Sequence, residues 1–109
     1  MLGVAIEICR YVSDACPGFV ECRLTDASDR EWVFIDKVPI VTTEILSASS
    51  SYPRPGIITC QVIERRQVRG QELVTIDTEL PSHIETIDGD TRFEVRSEQL
   101  LEFDWGSTL

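Results

Sequence analysis

The sequence predicts a mainly β domain: a small six-stranded barrel, closed or partly open, with one short helix between the third and fourth strands. Two observations carry this prediction. Apolar residues alternate with polar ones at period two in several short segments, which is the pattern of half-buried strands. Clusters of Pro, Gly, Asp and Ser separate those segments, and each of these residues favours turns for its own backbone reason. The 109 residues fit one domain spanning residues 1–109, large enough to fold around a core without metal or disulfide staples.

The first strand, residues 2–12, places Leu2, Val4, Ile6 and Ile8 on one face. "SDACPG" turns the chain into a second strand at 19–25, with Val20, Cys22 and Leu24 inward. "DASDR" closes a hairpin, and a third strand returns over 31–37. There Trp32, Val33, Phe34 and Ile35 are apolar on both faces, so this strand is either covered on both sides or shifted by a bulge.

After Pro39 the alternation stops. Thr42 is placed to cap a short helix beginning at Thr43, with Val41 and Leu46 at the spacing of a hydrophobic staple. "SASSSYPRPG" then reads as a loop. A fourth strand is expected over 56–64 with Ile58, Cys60 and Val62 inward, and "RRQVRG" as the hairpin tip. A fifth follows over 72–78, with Val74 and Ile76 on one face, and a sixth over 91–95 aligns Phe93 with Val95. Beyond it, Leu100, Leu101, Phe103 and Trp105 suit a short packed helix or a final strand equally well.

Two phrases repeat. "PGFVECRL" and "PGIITCQV" each open on Pro-Gly and place a cysteine at the same offset, and "VFIDKVP" and "VTIDTELP" each carry Ile-Asp ahead of a proline. They fit either two related hairpins at 17–39 and 55–81 or a chance resemblance between two amphipathic hairpins; the first reading makes Cys22 and Cys60 matching inward thiols, with Asp36 and Asp77 accepting backbone N–H bonds at strand ends. The order of three strands, short helix and two strands over residues 2–79 resembles the OB-fold arrangement. That resemblance implies a general binding platform for oligonucleotides, sugars or proteins, and no particular ligand.

Charge is distributed unevenly. Of the 19 acidic residues, ten lie in residues 71–109 against two bases, whereas residues 1–70 hold nine acids and eight bases. Such a surface repels a phosphate backbone, so nucleic acid is an unfavoured partner; the excess of acids serves solubility in the first instance, and its uneven distribution also matches a basic protein. No apolar run is long enough to cross a bilayer as a helix. The amino terminus lacks a basic leader, so the four cysteines are expected as thiols in a reducing, cytoplasmic setting.

Catalytic and metal signatures are missing. The cysteines at 9, 16, 22 and 60 contain no pair at zinc-knuckle spacing. His83 beside Glu85 and Asp88 is a lone loop histidine, and Cys16 has neither a base nor a cation among its neighbours. No catalytic, cofactor or metal residue is therefore assigned. One basic feature stands out: Arg65, Arg66 and Arg69 at the expected hairpin tip, with Arg54, offer fork-shaped donors to a phosphate or an acidic partner. Trp32, Phe34 and Tyr52 are the aromatic residues available for stacking, although core packing is their commoner use.

These readings converge on a non-enzymatic, bacterial-type acidic binding module acting through a protein partner, as an inhibitor or immunity-like protein does. The alternative is an OB-like binder of single-stranded nucleic acid or another anion through the arginines.

Overall fold

The computed structural model describes residues 1–104, which form eight strands, one α-helical turn and one 3-10 turn. The alternating segments become β1 (Leu2–Ser13), β2 (Phe19–Thr25) and β3 (Glu31–Lys37), joined as an antiparallel meander. β2 and β3 pair without a register shift, so the double-sided apolarity of β3 needs no bulge. Instead Phe34 is fully buried on the inner face, and Ile35, facing outward, is 44% exposed. The register shifts of this meander lie in β1, between Ile8 and Arg10 and between Tyr11 and Ser13.

The helical turn, α1 (Val38–Val41), occurs earlier than the sequence predicts. Pro39 sits in its first turn, where the missing N–H costs nothing, and Thr42 is extended at φ −158°, ending the helix it was expected to begin. The Thr42 hydroxyl instead accepts the Glu44 N–H at 3.1 Å in a local turn.

The expected strand over 56–64 is broken. β4 (Arg54–Thr59) pairs with β1, while β5 (Gln61–Val68) leaves for another sheet, and Cys60 between them donates its N–H to the Leu2 carbonyl at 3.1 Å. β5 pairs with β6 (Gln71–Asp77), which pairs with β7 (Arg92–Arg96). A 3-10 turn at Ser97–Gln99 leads into β8 (Leu100–Glu102), which resolves the tail as a strand on the first residues of β1. Because β1 is 12 residues long, one edge serves both β8 and β2 while the other takes β4. Gly3 makes this crossing possible, since a Cβ there would lie 2.7 Å from the Phe103 ring. Trp105 lies outside the described residues.

The strands therefore form two antiparallel sheets, β3-β2-β1-β4 with β8 on β1, and β5-β6-β7, and the described residues do not close into a barrel. Side chains from both sheets share one core: Val4, Ile8, Val20, Leu24 and Phe34 from the first, with Val74, Ile76, Phe93 and Val95 from the second. Each such side chain contributes roughly 1.5–3 kcal/mol by leaving water. The tip of the β2–β3 hairpin straps the sheets together, the Ala27 N–H donating to the Glu94 carbonyl at 2.8 Å and Gln99 Nε2 to the Thr25 carbonyl at 2.8 Å.

The paired phrases occupy unlike places. Cys22 sits mid-strand opposite Phe34, whereas Cys60 marks the passage between sheets. Ile35 faces outward while Ile76 is fully buried, so the two Ile-Asp pairs point in opposite senses. Both thiols are buried, as filler, but the hairpins at 17–39 and 55–81 are not equivalent units.

Candidate functional site

The arginine cluster disperses in three dimensions. β5 and β6 run on to Val68 and Gln71, so the hairpin tip is Arg69-Gly70 alone, and Arg65 and Arg66 lie within a strand. Arg65 pairs at 3.0 Å with Glu72 of β6, which stands opposite Gln67. Arg66 grips both carboxylate oxygens of Glu94 at 2.7 and 2.8 Å, reaching across β6 to β7. Its own charge is held more firmly by that bond, and the Glu94 carboxyl is lowered by the same contact. Arg54 belongs to another region, where it pairs with Glu44 and donates to the Ser51 carbonyl at 3.2 Å. Of these four arginines, Arg69, exposed at φ 51°, alone makes no ion pair among the described residues. The four arginines thus form no common concave surface for an anion.

The aromatic candidates are likewise occupied. Phe34 is buried, the Tyr52 hydroxyl donates to the Ser47 carbonyl at 2.8 Å, and Trp32 donates its indole N–H to Asp26 at 2.9 Å. Arg30 covers the indole at 3.8 Å, taking the ring face a base would need.

Pairing the bases leaves ten of the 19 acids without a cationic partner among the described residues, and three of those ten fall in one loop. Seven of the ten basic side chains are bound to acids of the same chain: Arg10, Arg23, Arg54, Arg65, Arg66, Arg92 and Arg96. Glu85, Asp88 and Asp90 have no cationic partner among the described residues, and all three lie in the connection between β6 and β7. This segment, residues 78–91, is a compact loop with its ends joined, Thr78 N–H donating to the Thr91 carbonyl at 2.8 Å. Its rigidity comes from two threonines. Fully buried Thr78 donates its hydroxyl to the Ile84 carbonyl at 2.6 Å, and the Thr86 hydroxyl accepts the N–H groups of Asp88 and Asp90 at 3.2 and 3.0 Å.

The loop lies along the edge of β3, where the Ile87 N–H donates to the Val33 carbonyl at 3.0 Å. Ile84 is packed inward, leaving Ile87 60% exposed beside the carboxylates, with Ile35 exposed two residues further along β3. A scaffolded apolar residue flanked in sequence by unneutralised acids is suited to contact with a basic surface.

Asp36 departs from its expected role. Asp77 accepts the Glu79 N–H at 2.8 Å and the Arg92 guanidinium at 3.1 Å, which hold its carboxyl below the usual range. Asp36 faces inward from β3, opposite buried Val20, and its carboxylate accepts no hydrogen bond among the described residues. Burial raises its pKa to about 6; nearby Lys37 lowers it and Glu85 raises it.

The His83 imidazole turns to Glu79 at 3.4 Å rather than to Glu85 or Asp88, and the described residues contain no His, Cys, Asp and Glu group able to hold a metal. Burial pushes the Cys22 and Cys60 thiols up to about 12 and about 11, so both are inert at neutral pH. No protein-family model matches the chain, and neither a curated protein nor a solved structure matches it significantly. The acids of the 78–91 loop are plain in the sequence, but their freedom from cationic partners follows from ion pairs that form only in the fold.

Proposed function

We propose that the chain is a small non-catalytic binding module that engages a basic protein partner through the acidic loop at 78–91 and the adjoining edge of β3. The specific form we favour is an inhibitor or immunity-like protein that masks a basic enzyme surface. One observation carries this reading: Glu85, Asp88 and Asp90, without cationic partners among the described residues, flank exposed Ile87 in sequence on a loop fixed by buried threonines. In fold terms the module is a partly open, OB-like barrel. The β4-to-β5 passage at Cys60 and the Ala27–Glu94 bond, which join the sheets at two places, support that description. Four free thiols support a reducing compartment such as the cytoplasm.

The test is affinity capture from the native host at low and high salt, run in parallel with the wild-type chain and a Glu85→Lys, Asp88→Lys double variant. A basic protein retained by the wild type at low salt, and lost in the variant, is the expected result. Retention by both chains, or by neither at either ionic strength, overturns the proposal.

A further inference from the structure

A sheet edge with unpaired backbone groups is a template for another strand, and most edges of this fold are blunted. The Ile87 and Ala27 N–H groups bond the open sides of β3 and β7, Pro55 interrupts β4, and β8 has three residues. β5 differs. It is eight residues long and ends the second sheet, and among the described residues only β6 bonds to its backbone. Residues 63–67 are all exposed, so the strand stands clear on both faces.

Register fixes what this edge presents. The shift between Val62 and Glu64 leaves residues 64–68 as the regular stretch. Val68 and Gln71 flank the two-residue turn as a hydrogen-bonded pair, so Arg66 and Glu64 also bond β6. The N–H and C=O groups of Arg65 and Gln67 therefore point to the open side. Glu64 and Arg66 share one face of the strand, an acid and a base two residues apart. Glu64 makes no ion pair among the described residues, although its field favours the charge on Arg66.

We propose that β5 pairs antiparallel with β5 of a second copy about a two-fold axis at Arg65, joining two three-stranded sheets into one. Charge selects this occupant. Run antiparallel, the segment is its own complement: Glu64 of each copy meets Arg66 of the other. These positions stand about 4.5 Å apart between Cα atoms, closer than the about 6.6 Å between alternate residues of one strand. Opposite charges placed so favour pairing. Arg65 faces its own copy across the axis, but each is held by its own Glu72 at 3.0 Å, so no bare like charges meet. A register shifted one step either way sets Glu64 against itself or against Val68, and both charge pairs are lost. A basic protein would satisfy Glu64 and oppose Arg66, whereas a second copy satisfies both. The acidic loop at 78–91 leaves from the other end of β6 and stays available.

Sedimentation velocity on the full chain, from about 1 μM to about 300 μM, tests this over the range where weak dimers form. The expected result is a monomer–dimer equilibrium. Glu64→Arg should weaken it by at least about 10-fold, because two opposed charge pairs become like-charged in every dimer. Thermal unfolding of that variant should match the wild type, since Glu64 is exposed and has no ion pair to lose among the described residues. Amide exchange of the wild-type chain separates this edge from any other contact. The Arg65 N–H should exchange freely at the low concentration and slow by at least about 10-fold at the high one. A chain that stays monomeric throughout, equal association of wild type and Glu64→Arg, growth past the dimer, or an Arg65 amide left unprotected in the dimer would each overturn the proposal.

Discussion

Trp32 and Phe93 meet edge to face with ring centroids 5.0 Å apart, and they belong to different sheets. Phe93 meets Phe34 in the same manner at 5.7 Å, so one residue of β7 is packed against two of β3. Edge-to-face pairs add about 0.5–1.5 kcal/mol to the burial itself. Phe93→Ala should therefore cost about 3–5 kcal/mol in urea unfolding, by removing the ring that both β3 aromatics contact. A cost below about 1 kcal/mol would show that the sheets are not joined through this seam.

The four thiols should separate by environment. Cys16 is exposed, Cys9 is half-buried beside Glu7 and its pKa is raised by burial, and Cys22 and Cys60 are buried. Alkylation followed by peptide mass mapping should label Cys16 first and Cys9 more slowly. Cys22 and Cys60 should react only at the rate of global unfolding. Labelling of Cys60 as fast as Cys16 would mean that the passage between the sheets opens locally.

Asp36 should make stability depend on pH in an uncommon direction. Its folded pKa of about 6 lies above the unfolded value of 3.8, so the folded state binds the extra proton between those limits. Stability therefore falls as pH rises from about 4 through 6 and is flat above, the reverse of a salt-bridged carboxylate. Allowing for partial solvent access, the charged form costs about 1–2 kcal/mol at neutral pH. Asp36→Asn should recover most of that at pH 7 and flatten the profile between pH 4 and 6, as read by denaturant midpoints. Lys37 and Glu85 are the charged groups that modulate this titration. An unchanged profile in the variant would place Asp36 in water.

How far the fold is legible in the sequence differs along the chain, for physical reasons. β2 is readable to the residue because Val20, Cys22 and Leu24 alternate with Glu21 and Arg23, and Pro17-Gly18 marks its start. The break at Cys60 is not readable. Ile57 through Ile63 is strand-forming throughout, with neither Gly nor Pro to mark where the chain changes sheets. Arg65 and Arg66 look like a tip because they are charged. In the strand their charges are met by Glu72 and Glu94, the latter 28 residues from Arg66 and reached across β6. The same long-range pairing hides the candidate site, since composition counts charges and cannot show which are cancelled.

Arg69 offers the sharpest separation between a structural and a binding role for the basic hairpin. It occupies the first central position of a two-residue turn, at φ 51°, followed by Gly70 at φ 79°. Two positive values define the mirror-image turn that matches strand twist, and Asn-Gly fills it best. An arginine there bears a left-handed penalty of about 1–2 kcal/mol that asparagine largely avoids. Because Arg69 is exposed and makes no ion pair among the described residues, Arg69→Asn forfeits no contact. It should raise stability by about 0.5–1 kcal/mol, a rise of a few degrees in the thermal midpoint by circular dichroism. Capture of the basic partner by the acidic loop should be unaffected. A lower midpoint would show a different turn, and a loss of partner binding would return function to the arginines.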